Sequence, residues 1–343
     1  MTMERNYAID FIKFFAIAAV VVIHTFPSDH ELGYFILDNF SRFAVPFFFA
    51  ASGYLFGLKI INNPKSIEYF KKYVIKILKI YFSWLLFYVL YDVFQIYIDK
   101  GYHSHELEKY IENLTPLNLL YYGEGTSGYQ LWFVISLAWS IALLYLFYRL
   151  KKIRILLILS LCLNIVGLFG QGYSQFLEIP IDSTRDALFI GLFYTTIGFW
   201  FASASPFQQS KKVEIKTYLF FFFLFFALQL SEGYWLEKVL SAKHGEYFFS
   251  TILLTIFLFL FTIKNQQVGK GMLITKIGGN ALGIYTIHVL FIDIDDFIFH
   301  KFGIGNMTHD LTLNLIDAFL VFSMSYITYN FIQYTKTRQL FGK

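Results

Sequence analysis

Long apolar runs separated by short polar breaks follow one another along the whole chain of 343 residues. Runs of about 17 to 25 apolar residues are typical of helices that cross a lipid bilayer. The pattern predicts ten such helices, at about residues 7–26, 40–61, 73–98, 130–149, 153–170, 186–203, 216–231, 246–263, 281–299 and 311–334. We therefore expect an all-α polytopic membrane protein, with the first run kept as a helix rather than removed as a signal sequence.

The composition agrees with this fold class. Hydrophobic residues make up 57% of the chain and charged residues 15%, with 43 Phe and 25 Tyr. A soluble fold of this length could not bury so much apolar surface. Because only short polar segments separate the runs, we expect a single membrane domain over residues 1–343. The single cysteine, Cys162, has no second Cys to pair with, which argues against disulfides and sulfur-ligated metals.

The polar breaks alternate in charge, which predicts how the helices are oriented. Basic residues are concentrated in every second break and in the C-terminal tail: Lys65, Lys71, Lys72, Arg149, Lys151, Lys152, Arg154, Lys211, Lys212, Lys216, Lys264, Lys270, Lys276, Lys336, Arg338 and Lys343. The other breaks hold mostly acids: Asp29, Glu31, Glu106, Glu108, Glu112, Glu124, Glu178, Asp182, Glu232, Glu237 and Asp310. By the positive-inside rule, the basic side and both termini face the cytoplasm, and the protein lies in the cytoplasmic membrane.

The longest predicted outer loop, at about residues 99–129, has a pattern of its own. It contains the amphipathic stretch "SHELEKYIENLTPLNLLYY" followed by "GEGTSG". A structured loop of this length often covers a functional site. A helix lying along the membrane surface explains the same pattern, so both interpretations stay open.

Three ionisable residues interrupt the first apolar run, "IDFIKFFAIAAVVVIHTF". Charge inside a span is costly unless it faces a partner or a polar cavity. Lys13 and His24 share one helix face to within about 20° and lie roughly 16 Å apart along the axis. Asp10 is close enough to pair with Lys13 along the helix. The stripe lines a path across the membrane, unless Lys13 reaches the inner headgroups and His24 sits at the outer interface.

A basic stripe begins the third span. Lys72, Lys76 and Lys79 follow i, i+4, i+7 spacing, so their ammonium groups lie along one helix face. Such a stripe is suited to binding phosphate groups. Ordinary positive-inside flanking also explains it, most readily for Lys72.

The second span contains a polar and a small-residue feature. Arg42 enters it next to an apolar run, where we expect a partner or a ligand. Pro46 loosens the backbone hydrogen bonding, and Ser52 and Gly53 allow close approach of another helix or of a ligand.

Further polar residues fall within later spans. His288 lies near the middle of the ninth, where an imidazole needs a hydrogen-bond partner. That partner is either a ligand or a neighbouring helix. Asp92 and Asp317 also fall within spans and need partners.

In order and spacing, these motifs resemble the acyltransferase-3 family of membrane enzymes over essentially the whole chain. Asp10, Lys13 and His24 match the family's N-terminal motif of an acid followed by a base, ten intervening residues and a histidine. "VPFFFAASGYLF" is similar to the family's "PxFFxxSGxL", with Arg42 in front of it as in the branch resembling enterobacterial-antigen O-acetyltransferases.

Three later motifs resemble the family with some departures. "KILKIYF" looks like "RxxRxxxP", with lysines in place of arginines and Phe82 near the usual proline. "QLWFV" looks like "hLWFL", with Gln130 at the usual histidine and Trp132 retained. "GGNALGIYTIHV" is similar to "GxxSxxxYLxH".

The resemblance implies an enzyme that transfers an acyl group, usually acetyl, from cytoplasmic acyl-CoA to a hydroxyl of a surface sugar, polysaccharide or lipid-linked glycan. It implies that His24 is the general base and that the catalytic set is His24, Lys13, Asp10, Arg42 and Tyr285. The residues expected to bind the donor are Lys72, Lys76, Lys79, Ser52, Gly53, Trp132, Asn280 and His288. Acetyl-CoA is the expected donor, without a metal.

The partners expected on this basis are the acyl-CoA, the glycan acceptor and membrane lipid, without nucleic acid; a homo-oligomer is left open. A second class of function is a transporter or flippase that moves a polysaccharide or glycolipid through the bundle. Dependence on the acyl donor distinguishes the two.

Overall fold

The computed structural model describes residues 5–26, 31–100, 105–177, 179, 181, 183–203, 214–302 and 311–341. Within these residues the regular secondary structure is entirely helical, which confirms the predicted all-α class. Some residues of the charge pattern lie outside the described residues: Asp29, Glu178, Asp182, Lys211, Lys212, Asp310 and Lys343.

The described α-helices, numbered in chain order, are α1 Tyr7–Thr25, α2 Glu31–Ser41, α3 Ala44–Ile60, α4 Ser66–Lys100, α5 His105–Asn113, α6 Leu131–Arg149, α7 Ile153–Phe169, α8 Leu192–Ser203, α9 Ile215–Tyr234, α10 Phe249–Lys264, α11 Leu273–Gly278, α12 Ala281–Phe302 and α13 Leu311–Phe341. Short π-helical turns occur at Asn118–Tyr122, at Ala187–Gly191 before α8 and at Trp235–Val239 after α9.

Among the described residues, six helical segments are long and apolar enough to cross a bilayer. They are Tyr7–Thr25, Phe35–Ile60, Ser66–Ile98, Leu131–Arg149, Ile215–Val239 and Leu311–Arg338. Three further helical segments are apolar but shorter: Ile153–Phe169, Ala187–Ser203 and Phe249–Lys264. Each of the ten predicted runs contains a helix, whereas the count of ten crossings and their orientation stay predictions.

The helices differ from the predicted spans mainly at their ends. The predicted second span is covered by α2 and α3, which are separated by a turn at Arg42 and Phe43. Pro46 is in the first turn of α3, where a backbone N–H has no partner within the helix. Pro46 therefore removes no hydrogen bond that α3 needs. The third predicted span begins earlier than expected, because α4 starts at Ser66.

The chain forms two compact units, and the single membrane domain over residues 1–343 stays a prediction. Unit 1 comprises Met1–Val45, Val213–Leu230 and Ile256–Lys343. Within unit 1, α1 packs against α2, α11, α12 and α13, and α12 packs along α13. Unit 1 thus places the first helix among the last three.

Unit 2 comprises Pro46–Lys212 and Ser231–Thr255 and is organised around α6. This helix contacts α4, α7 and α8, and its residues from Leu131 to Ala138 are all buried. Because its first two turns are enclosed and its exposed Trp139 and Leu146 are also apolar, α6 lacks an amphipathic period.

The amphipathic loop after α4 is bound back to that helix within unit 2. The hydroxyl of Tyr110 and the backbone N–H of Ser127 donate to Asp92 Oδ2 at 2.7 Å and 2.9 Å. Burial and the hydrogen bond to Asp92 raise the pKa of Tyr110, so the phenol stays protonated as a donor. These two bonds supply partners for the buried Asp92, which the sequence could not name.

Arg185 links three connecting segments of unit 2. Its guanidinium donates to Glu246 Oε1 at 3.1 Å and to Glu124 Oε1 at 3.5 Å. It also lies 5.4 Å from the ring centre of the buried Trp132. The next residue, Asp186, accepts hydrogen bonds from backbone N–H groups of the π-helical turn that leads into α8. A single side chain therefore joins loops that are far apart in sequence.

Helices α3 and α8 pack backbone against backbone. A Cβ atom on Gly53 would lie 2.0 Å from the carbonyl oxygen of Thr195, and one on Gly198 would lie 2.0 Å from that of Ala50. No side chain fits at either position. Close helix packing therefore accounts for Gly53 without a ligand.

We expect Gly53→Ala to destabilise unit 2 by about 1–3 kcal/mol or more, because the new methyl group must displace a backbone carbonyl. Thermal unfolding of the detergent-solubilised protein, followed by loss of the monodisperse chromatographic peak, measures this effect. Gly172→Ala is the matched control, since a Cβ there meets its nearest atoms at an ordinary 3.6 Å. Equal unfolding temperatures for the two variants would contradict the packing described.

Candidate active site

The start of α1 is fixed by three hydrogen bonds within unit 1. The side chain of Asn6 accepts from the backbone N–H of Ile9 at 3.2 Å, as an N-cap residue does. Its amide also donates to the carbonyl oxygen of Thr262 at 2.9 Å. The backbone N–H of Tyr7 donates to the carbonyl oxygen of Gln266 at 2.9 Å. The first helix is thereby tied to the end of α10.

Asp10 is shared by two cations. Arg5 donates to Asp10 Oδ2 through Nη2 at 2.7 Å and through Nε at 3.2 Å. Lys13 Nζ lies 3.6 Å from Asp10 Oδ1, so the pair expected from the spacing is present. The side chains of Asp10 and Lys13 are only 15% and 20% exposed, whereas that of Arg5 is 59% exposed. The carboxylate thus compensates a largely buried ammonium group.

The backbone at Asp10 contacts α11 directly. A Cβ atom on Gly278 would lie 1.9 Å from the carbonyl oxygen of Asp10 and 2.7 Å from the backbone nitrogen of Phe14. Only glycine allows α11 to lie so close to α1. Three residues further along the chain, α12 begins.

At the other end of α1, His24 meets His288 of α12. The two imidazole rings are stacked, with centroids 5.5 Å apart and planes at 28°. His24 is partly exposed, and His288 is completely buried. The structure therefore brings together two histidines that lie in the first and ninth predicted spans.

The two nitrogens of His288 differ in their surroundings. Nδ1 lies 2.7 Å from the carbonyl oxygen of Tyr285, a distance at which this nitrogen must carry a proton and donate it. Nε2 is then the unprotonated nitrogen with a lone pair. It is buried and has no hydrogen-bond partner among the described residues.

Two other residues of the predicted site, Tyr285 and Asn280, are close to His288 in sequence. The Tyr285 ring is buried, and its centroid lies 5.6 Å from that of His288. Asn280 precedes α12, and its carbonyl oxygen accepts from the backbone N–H of Gly283 at 2.9 Å. Asn280 thus directly precedes the helix that carries Tyr285 and His288.

Arg42 has a protein partner. Its Nε lies 3.1 Å from Asp38 Oδ2 and its Nη2 lies 2.5 Å from Asp38 Oδ1, which makes a two-point ion pair. Asp38 is buried, and the Arg42 side chain is 10% exposed. The i, i+4 spacing of the two residues was the sequence signal for this pair.

The remaining predicted donor-site residues belong to unit 2. Lys72, Lys76 and Lys79 are exposed along α4. Ser52 lies next to the hydroxyl of Tyr73. The protein thus supplies a contact for Ser52, as it does for Gly53 and Trp132, whereas the lysine stripe faces outward.

Two residues in these contacts escaped the sequence analysis. Arg5, the closer partner of Asp10, lies ahead of the first apolar run and looks like ordinary flanking charge. Arg185 lies in a connecting segment, and its pairing with two distant acids leaves no sequence pattern.

Comparisons with known proteins place this chain in a family. A model of the acyltransferase-3 family, described as an acyltransferase domain, matches residues 6–329. A protein of Enterococcus faecalis described as an amino-acid racemase is 28% identical over 306 residues, covering 85% of this chain and 42% of that protein. A second one is 29% identical over 246 residues, covering 66% of this chain and 32% of that protein. No solved structure matches.

The apolar helices and the polar residues enclosed among them define a membrane protein with an internal polar site. The matched residues include every predicted site residue from Asp10 to His288. The chain belongs to the acyltransferase-3 family. It spans less than half the length of either racemase relative.

Asp10→Asn should lower stability by about 2 kcal/mol, because Lys13 loses the charge that compensates its burial. Arg5→Gln, which removes only the exposed cation, should cost well under about 1 kcal/mol. Thermal unfolding of both variants in the same detergent gives the comparison. A larger effect of Arg5→Gln would show that Lys13 does not depend on Asp10.

Proposed function

We propose that the protein is a membrane-bound O-acyltransferase that moves an acyl group, most simply acetyl, from acyl-CoA to a hydroxyl of a cell-surface glycan. Family membership supports the reaction class. The observation that carries the proposal is the stacked pair of His24 and His288, since an imidazole inside a helix bundle is the group suited to moving a proton near neutral pH.

In this proposal His24 is the general base. It removes the proton from the acceptor hydroxyl while the oxygen attacks the carbonyl carbon of the thioester. As the carbon–sulfur bond breaks, the imidazolium returns that proton to the departing thiolate, which leaves as the free thiol. His24 ends the cycle neutral, and the acyl group is esterified to the acceptor.

The different burial of the two histidines supports this assignment. The base carries a positive charge for part of the cycle, and charge is costly in a fully buried position. His24 is partly exposed, whereas His288 is completely buried.

Other site residues take supporting roles. Tyr285 belongs to the same cluster and is the proposed donor to the developing oxyanion, with Arg42 as the alternative. Asp10 and Lys13 hold the start of α1, and so the position of the base, rather than touching the reacting atoms.

The membrane arrangement proposed here has ten crossings, with both termini in the cytoplasm and the protein in the cytoplasmic membrane. The charge alternation of the breaks supports it. Acyl-CoA then enters from the cytoplasm, and the exposed lysines of α4 attract its phosphate groups.

The proposed function does not include the amino-acid racemase activity for which the two relatives are named. The chain covers 42% and 32% of those proteins, and the matched family model describes an acyltransferase domain.

His24→Ala should lower acyl transfer by about 100- to 10,000-fold, the usual contribution of a general base. The assay is mass spectrometry of surface glycans, together with release of free thiol from acetyl-CoA by the purified protein. His105→Ala, at an exposed histidine of α5, is the control and should retain full activity. Near-normal glycan acylation by a folded His24→Ala protein would remove His24 from the reaction.

The same assay distinguishes the proposed enzyme from a transporter. A transporter moves its substrate without acyl-CoA, whereas the enzyme consumes the thioester in step with acylation. Substrate movement in the absence of acyl-CoA, with no thiol released in its presence, would overturn the proposed function.

Reversing charge at Lys76 and Lys79 together, to Glu, should raise KM for acetyl-CoA about tenfold, which corresponds to roughly 1.4 kcal/mol of binding. The effect should shrink as salt is added, because the stripe is exposed. The matched control reverses Lys151 and Lys152, which are also exposed and basic but follow α6. Equal KM values for the two double variants would exclude a donor site on the α4 stripe.

A further inference from the structure

The buried Nε2 of His288 is a strong hydrogen-bond acceptor that has no partner within the described parts of the chain. Its ring is completely enclosed, and Nδ1 is bonded to the Tyr285 carbonyl oxygen. No described residue donates to Nε2. A buried polar atom in this state costs free energy unless a ligand or a water molecule donates to it. The protein bond at Nδ1 fixes the orientation of the ring but leaves the lone pair at Nε2 unexplained.

We propose that His288 Nε2 accepts a hydrogen bond from a second hydroxyl of the acyl acceptor, next to the hydroxyl that reacts. This inference rests on the proposed function and deepens it. It defines the acceptor as a polyol with two neighbouring hydroxyls, and it assigns His288 to acceptor binding, whereas the family resemblance assigned it to the donor.

The proton balance leaves no proton of the reacting hydroxyl for His288. The reacting hydroxyl has one proton, and that proton passes to His24 as the oxygen attacks the thioester. His288 therefore needs a donor of its own, and a neighbouring hydroxyl supplies it without being consumed. His288 stays neutral throughout, in keeping with its complete burial.

The stacking of the two rings supports this division of roles. With centroids 5.5 Å apart and planes at 28°, the two rings are stacked, so one acceptor molecule can contact both. Two bonds also fix the acceptor's orientation, which one bond does not.

A pair of substitutions separates this role from a structural one. In His288→Asn the amide nitrogen takes the place of Nδ1, so the bond to the Tyr285 carbonyl oxygen is retained while the acceptor at Nε2 is lost. In His288→Gln the amide oxygen takes the place of Nε2, so the acceptor is retained while the Nδ1 bond is lost. The proposal predicts that His288→Gln is the more active variant, and a structural role predicts the reverse.

The test uses the full chain in lipid nanodiscs, with acetyl-CoA as donor and ethylene glycol or ethanol as probe acceptors. The two alcohols differ by one neighbouring hydroxyl. We expect the wild type to acylate the diol roughly 10- to 100-fold faster than ethanol, the usual effect of one hydrogen bond to a buried polar group. His288→Asn should lose this preference, and His288→Gln should keep most of it. KM for acetyl-CoA should be unchanged in both variants.

Several results would overturn the inference. One is equal preference for the diol in wild type and His288→Asn, which would mean that only water bonds to Nε2. Another is a higher KM for acetyl-CoA in His288→Asn with the diol preference intact, which would return His288 to the donor.

A second measurement keeps this inference distinct from the proposed function. NMR of nitrogen-labelled histidine in the wild type reports which ring nitrogen of His288 carries the proton, with His288→Gln identifying the signal. A proton on Nε2 would overturn the inference even if acyl transfer is normal. A proton on Nδ1 together with no thiol release from acetyl-CoA would overturn the proposed function, and the catalytic part of the inference with it.

Discussion

The contact between Asp10 and Gly278 determines how α11 and α12 are positioned relative to α1. The carbonyl oxygen of Asp10 lies where a side chain on Gly278 would be, and the carboxylate of the same residue holds Lys13 and Arg5. His24 is about 21 Å further along α1 by helical rise. Because α12 starts directly after this contact, His288 rises beside α1 and reaches His24. A backbone contact at one end thus sets a side-chain contact at the other.

Much of this architecture was predictable, because a bilayer demands long apolar helices and the chain is built from them. Each predicted run contains a helix, and the Asp10–Lys13 pair follows from spacing within one helix. The partner of Arg42 could also be predicted, since Asp38 is one helical turn away. These successes share a cause: the contacts are local in sequence, so the geometry of a single helix decides them.

The parts of the fold and of the candidate site that could not be predicted depend on contacts between distant helices, for which a single sequence holds no signal. The stacking of His24 on His288 joins residues in the first and ninth predicted spans. Ser52, Gly53 and Trp132 were expected at the donor site, and the structure gives each a protein contact in unit 2. A small or aromatic residue in an apolar run serves packing and binding equally well, and only its neighbours distinguish the two.

The interlocked glycines of α3 and α8 have a mechanical consequence. Where Gly53 meets Thr195 and Gly198 meets Ala50, no side chain separates the two backbones, so no rotamer change at these positions lets the helices slide. A side chain can change rotamer, whereas these backbone contacts can change only if one of the two helices shifts. Any rearrangement within unit 2 is therefore expected to keep α3 and α8 together.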